Sequence, residues 1–91
     1  MSDQVHASPQ DIRRLAAALG SFKEEVSAAS KRVQGALRAA NWHDQRKTQF
    51  EVRYQDLQKQ VDRFMTAEVD QMVKALNHYA SKLEEIKNIR L

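Results

Sequence analysis

The sequence predicts an all-α fold, an antiparallel two-helix hairpin that dimerises into a four-helix bundle. Two long stretches, in which apolar residues recur at steps of three and four, flank a short segment around Trp42. The 91-residue chain contains one proline and two glycines, so few residues oppose helix formation. Spacing of this kind is typical of amphipathic helices that bury one face.

The first helix is predicted from Pro9 to about residue 40. Ser8 is a suitable N-cap, Pro9 suits the first helical position, and Asp11 favours the positive end of the helix dipole. Residues 1–8 are expected to form a flexible tail. Gly20 lies inside the helix and indicates either a kink or a close approach of another backbone. The apolar stripe comprises Ile12, Leu15, Leu19, Phe22, Val26, Ala29, Val33, Ala36 and Ala40.

A turn is predicted at residues 41–44, although this segment has neither glycine nor proline. Asn41 and Asp44 favour an N-terminal capping arrangement for a second helix. The heptad spacing nevertheless continues through His43 and Lys47, so one continuous helix of about 80 residues is an alternative. Polar residues at those two positions would interrupt an apolar seam, and the hairpin is therefore favoured.

The second helix is predicted from about residue 45 to residue 89 and contains neither glycine nor proline. Its apolar positions step by four twice in succession, across Val61, Met65 and Val69. Such a local insertion unwinds a left-handed supercoil towards a straighter geometry, which suits a short bundle. The apolar stripe comprises Phe50, Tyr54, Leu57, Val61, Met65, Val69, Met72, Leu76, Tyr79, Leu83 and Ile86.

The C-terminal part of the second helix predicts an oligomer. If the chain folds back near Trp42, Ile12, close to the start of the first helix, is expected opposite Met72. The first helix then has no residues left to cover the second helix beyond Met72. The apolar stripe continues beyond that point, and a second hairpin, identical or related, would cover it in a homodimer or heterodimer. The predicted oligomer interface comprises Leu76, Tyr79, Leu83, Ile86 and Ile89.

Length and composition predict one small helical domain over residues 9–91. A core of this size gives marginal stability, and the absence of cysteine excludes disulfides and thiol chemistry. The first residues lack the apolar core of a signal peptide, and no apolar run approaches the length of a membrane span. We therefore expect a cytoplasmic chain, or one that is secreted without a cleavable leader.

No catalytic, cofactor-binding or metal-binding pattern is found, so an enzyme is not predicted. His6, His43 and His78 lie in separate regions, without the spacing that zinc ligands require. The net charge is +3, and residues 31–63 carry eight basic and four acidic side chains. Because the acids are interleaved, a solvated helix surface is favoured over nucleic-acid binding. A contiguous basic patch at the turn end would favour the nucleic-acid alternative.

Trp42 and Phe50 are the candidate docking residues, together with Asp44. A tryptophan at a hairpin tip can pack as a lid over the helix ends, or it can remain exposed as an anchor for a partner. The string from Asn41 to Phe50, preceded by a helix of about thirty residues and followed by a long one, resembles the Trp-x-Gly family. These are the small helical hairpins known as ESAT-like substrates of type VII secretion.

The sequence departs from the family pattern at two places. The glycine expected two residues after the tryptophan is Asp44. Family members often carry a Tyr-x-x-x-Asp/Glu export signal, but Tyr79 is followed at that distance by Leu83, and Glu84 comes one residue late. The resemblance implies a secretion substrate or chaperone that binds a related hairpin, a secretion ATPase or a larger effector protein. An intracellular adaptor or structural coiled-coil subunit fits the residues equally well.

Overall fold

The structure, a computed structural model, describes residues 7–88 as two antiparallel helical arms joined by a short extended segment. The first arm is α1, Pro9–Ala39. The second arm consists of α2, Gln45–Phe64, a π-helical turn, Met65–Val69, and α3, Asp70–Asn88. No strand is found among these residues. The predicted all-α class and the hairpin are therefore confirmed.

Local capping sets the start of α1. The Ser8 side chain accepts a hydrogen bond from the backbone N–H of Asp11 at 3.3 Å, and Pro9 occupies the first turn. The missing N–H of proline costs nothing there, because the first N–H groups of a helix have no partner within it. Gly20 and Gly35 have no positive φ, and no other atom lies within 4 Å of a Cβ built on either. A close backbone approach at Gly20 is therefore not the reason for that glycine.

The connection between the arms begins at Ala40, whose φ of −68° and ψ of 139° leave the helical region. The chain becomes helical again after Asp44, which is extended, with φ −99° and ψ 179°. The molecule measures 73 × 22 × 20 Å, whereas one continuous helix of 80 residues would be about 120 Å long. The continuous-helix alternative is therefore wrong.

The step of four across Val61, Met65 and Val69 coincides with the π-helical turn. The N–H of Asp70 donates to the carbonyl of Met65, five residues earlier instead of four. This wider turn holds one extra residue, and it keeps both Met65 and Val69 buried against α1. The irregular spacing, which predicted a local unwinding towards a straighter geometry, is thus accommodated by one π-helical turn.

The two arms lie closest together at the end that carries the chain termini. Backbone contacts of α1 are made mainly with α3 and the π-helical turn, whereas α2 lies farther from α1. The buried apolar residues follow the same division, and α2 contributes none of them. Apart from Pro9 at the start of α1, they are Ala16 on α1 and Met65, Val69, Ala80 and Leu83 on the second arm.

Polar contacts between the arms determine a register that differs from the predicted one. Arg13 donates to Ser81 at 3.0 Å and pairs with Glu84, so α1 extends past Met72. The expected position of Ile12 opposite Met72 is therefore wrong. The register also changes along the hairpin, since Lys23 pairs with Asp70, whereas Ser30, nearer the turn, contacts Tyr54.

Within residues 7–88, none of the helices combines the length and the apolar character that crossing a membrane requires.

Candidate protein-interaction site

Asp44 organises the turn end of the hairpin. Its Oδ1 accepts hydrogen bonds from the backbone N–H groups of Arg46 at 2.9 Å and Lys47 at 3.2 Å, as an N-cap residue should. The same oxygen accepts a third bond from the indole Nε1 of Trp42 at 2.8 Å. Asp44 therefore caps α2 and also orients the tryptophan.

Trp42 begins a row of three aromatic rings along α2. Its ring centroid lies 6.0 Å from that of Phe50, which lies 6.1 Å from that of Tyr54 in a stacked arrangement. Trp42 is half-buried and Phe50 is 39% exposed. Trp42 therefore packs against Phe50 of the following helix, α2, as a lid would, and still presents part of its ring to solvent.

Tyr54 connects the aromatic row to α1 through a polar contact. Its hydroxyl oxygen lies 2.8 Å from Oγ of Ser30, and that serine donates to the side-chain oxygen of Gln58. Each of these three side chains is partly buried. Near the turn the arms are thus held by hydrogen bonds, whereas nearer the termini aliphatic packing is combined with ion pairs between the arms.

Most of the exposed apolar side chains of the second arm form one continuous row. They recur every seven residues, with one step of eight across the π-helical turn. We call this row the outer stripe: Phe50, Leu57, Phe64, Met72, Tyr79 and Ile86. The extra residue of the π-helical turn compensates for the step of eight, so the row stays on one side of the arm along its whole length.

The first arm places exposed apolar residues on the same side of the hairpin. Leu15 precedes buried Ala16 by one residue, and Tyr79 precedes buried Ala80 by one. One residue corresponds to a rotation of about 100° around a helix axis. Because the arms are antiparallel, this rotation turns both side chains towards the same side. Leu15, Phe22 and the outer stripe together form what we call the apolar face.

The predicted oligomer interface divides between the inside of the hairpin and this face. Leu83 is only 6% exposed and Leu76 is half-buried, so their own chain covers much of their surface. Tyr79 and Ile86 are 43% and 64% exposed and belong to the apolar face. Ile89 lies outside the described residues.

Sequence reasoning treated the apolar residues of the second arm as one stripe, whereas the structure divides them between the inside and the apolar face. Leu57 and Phe64 were missed as candidate contact residues for this reason. The available signal was the width of the pattern, because a stripe that faces one neighbour is narrower than one that faces two.

The ion pair between Arg13 and Glu84 perturbs both groups. The hydrogen bond from Arg13, supported by its positive charge, lowers the pKa of Glu84 below the ordinary value of 4.5. The same hydrogen bond raises the pKa of the Arg13 guanidinium. Glu84 is the acid that comes one residue late for the export pattern, and here it holds the arms together. Leu83, at the expected position of that acid, is buried.

Among the described side chains, no group of three His, Asp or Glu residues is arranged to hold a metal ion. In comparisons with known proteins, no family model, no curated protein and no solved structure matches the chain.

Proposed function

We propose that this chain is a protein–protein interaction module, a hairpin that pairs through its apolar face with a second hairpin to form a four-helix bundle. The observation that carries this proposal is the outer stripe. Six large apolar side chains that are each at least 39% exposed occupy one side of one arm. Solvated helices do not require such a row, whereas a helix that packs against a second neighbour does.

The size of the apolar face supports the proposal. The molecule is 73 Å long and 22 Å wide. A face of this extent offers on the order of 1,000 Å², and a standard interface buries about 800 Å² on each partner. Full burial of a large apolar side chain contributes about 1.5–3 kcal/mol relative to full exposure, so several half-exposed residues supply a substantial driving force.

The biological role that we propose is that of an ESAT-like hairpin, a substrate or chaperone of type VII secretion. The turn supports this resemblance in one respect, since Trp42 lies in a short non-helical segment and contacts Phe50 eight residues later. The alternative is an intracellular adaptor built on the same hairpin. The engagement of Glu84 by Arg13 favours the adaptor, because Glu84 is the acid nearest to the expected export position and it pairs within the hairpin instead.

Sedimentation of apolar-face variants tests the proposed association. We expect the wild-type chain to sediment as a dimer, and the double variant Leu57→Asp with Phe64→Asp to be monomeric at the same concentration. Two buried carboxylates at a dimer seam would be desolvated without partners, which disfavours association strongly. Circular dichroism of the double variant at low concentration establishes whether the helices persist.

Val52 provides the matched control for this experiment. It is 55% exposed on α2 but lies outside the outer stripe, so Val52→Asp adds a charge to the same helix without entering the apolar face. We expect this variant to remain dimeric. A wild-type chain that sediments as a folded monomer, or a Val52→Asp variant that dissociates as readily as the double variant, would contradict the proposal.

A further inference from the structure

An open cleft lies beside the aromatic row at the turn end of the hairpin. It is lined by Trp42, Arg46, Gln49, Phe50 and Arg53 and has a volume of about 610 Å³. The four residues that follow Trp42 in this set recur at helical spacing on one side of α2. The two aromatic rings supply the apolar part of the cleft, and the two guanidinium groups supply its charge.

The arginines of this cleft have no acidic partner among the described side chains. The ion pairs of residues 7–86 involve Arg13, Arg14, Lys23 and Lys82, and each of these lies outside the cleft. Asp44 is close in sequence, but its Oδ1 already accepts three hydrogen bonds from the turn. The cleft is therefore a positively charged site whose charges are not satisfied within the hairpin.

We propose that this cleft binds an acidic segment of a partner protein, in which at least one aromatic or aliphatic side chain accompanies the carboxylates. Guanidinium groups bind carboxylates through paired, charge-assisted hydrogen bonds, and Arg46 and Arg53 lie two helical turns apart on α2. The exposed part of the Trp42 ring, beside Phe50, receives the apolar side chain. This proposal rests on the proposed function as an interaction module, and the cleft adjoins the apolar face because Phe50 belongs to both.

The cleft chemistry favours a peptide over nucleic acid or membrane. Phe50 already stacks on Tyr54, and Trp42 is half-buried, so no two free aromatic faces are available for successive bases. A membrane surface would require a larger exposed apolar tip than one half-buried tryptophan.

Trp42 is the only tryptophan of the chain, so its fluorescence reports on this cleft directly. The full chain is titrated with a synthetic peptide in which one phenylalanine is flanked on each side by three glutamates. We expect a saturable change in Trp42 emission that weakens with added salt. The variant Arg46→Gln with Arg53→Gln should bind at least about tenfold more weakly, which corresponds to about 1.4 kcal/mol.

Lys59→Gln with Arg63→Gln is the matched control, because it removes two positive charges from the same helix outside the cleft. We expect this variant to bind the peptide within about twofold of wild type, as screening of distant surface charges predicts. The same peptide with glutamine in place of glutamate should not bind.

Four outcomes would overturn the proposal. The first is the absence of a saturable change in Trp42 emission when the peptide is added. The second is a loss of peptide binding in the Lys59→Gln, Arg63→Gln control as large as in the Arg46→Gln, Arg53→Gln variant. The third is tighter binding of a single-stranded oligonucleotide or of phosphatidylserine vesicles than of the peptide, with the same dependence on Arg46 and Arg53. The fourth is a change in Trp42 emission with chain concentration alone, which would assign the cleft to a second copy. The variant Phe64→Asp with Tyr79→Asp separates the two proposals, because it alters the apolar face without adding an acid next to Arg46 or Arg53. It should still bind the peptide if the cleft assignment is correct, whether or not the hairpins pair.

Discussion

Two acidic side chains, Asp44 and Glu84, have their roles defined by the hydrogen bonds they accept. Asp44 caps α2 and holds the indole of Trp42, which a glycine at the same position could not do. Glu84 accepts from Arg13 on the other arm. Asp44 therefore stabilises the turn, and Glu84 joins the two arms.

The Arg13–Glu84 pair predicts a defined pH dependence of stability. The folded-state pKa of Glu84 is lowered, so its contribution is fully present above about pH 4.5 and is lost as the pH falls through the lower folded value. Glu84→Gln should therefore lower the melting temperature at pH 7, and the difference from wild type should disappear in strong acid. Thermal melts followed by circular dichroism between pH 2 and pH 7, a range of about five units, measure this.

Glu24→Gln is the control for that comparison, since Glu24 is exposed and takes part in none of the ion pairs of the described residues. Its melting temperature should follow that of the wild type at each pH. A Glu84→Gln difference that is the same at both ends of the pH range would show that the pair does not contribute through its charge.

At the level of the helices, the π-helical turn determines how the second arm presents its apolar residues. The step across it from Phe64 to Met72 is eight residues, whereas every other step of the outer stripe is seven. The turn accommodates the additional residue locally. Both the inward residues and the outer stripe therefore keep their sides of the arm before and after Met65–Val69.

Deletion of one exposed residue from the π-helical turn should be tolerated for this reason. Removing Thr66 makes the step from Phe64 to Met72 seven residues, and the turn can relax to an ordinary α-helical one. Removing Gln60 instead rotates all later residues by about 100° relative to α2 and breaks the register of the stripe. We expect the Thr66 deletion to unfold cooperatively near the wild-type midpoint in urea.

The Gln60 deletion should show a clearly lower urea midpoint and weaker dimerisation in sedimentation. Both deletions remove one exposed polar residue from the same arm, so they differ mainly in their position relative to the π-helical turn. Equal destabilisation by the two deletions would mean that the turn has a role other than compensation for the extra residue.

Across the whole molecule, charge is distributed unequally between the two ends. Residues 31–63, around the turn, carry eight basic and four acidic side chains. The remaining described segments, 7–30 and 64–88, carry six basic and seven acidic side chains. Two hairpins that pair through the apolar face with their turns together would place two basic ends side by side, whereas the opposite orientation places each basic end beside a nearly neutral one.

We therefore expect the proposed dimer to be antiparallel, with the two turns at opposite ends. The chain has no cysteine, so Asn41→Cys gives a single site for a spin label at the turn. The separation of the two labels, measured by pulsed electron resonance, should approach the 73 Å length of the molecule. A separation between the two labels that is only a small fraction of 73 Å would show the parallel arrangement instead. Rapid disulfide formation between the two introduced cysteines would show the same.

The sequence by itself determined the features that depend on neighbouring residues. Ser8 and Asp44 are strong N-cap residues, and both cap helices in the structure because a cap needs only its own first turn. The periodicity of each arm identified the helices, and polar His43 and Lys47 correctly favoured a break over a continuous rod. The double step at Met65 marked the irregular turn, although not its π-helical form.

Only the tertiary structure decided which apolar residues face inwards. Leu83 and Ile86 are three residues apart in the same stripe, yet one is buried and the other is 64% exposed. The difference arises from the rotation and register of α3 against α1, which Arg13 sets through Ser81 and Glu84. Those contacts join residues about seventy positions apart, and periodicity within one helix carries no information on how a distant helix is placed against it.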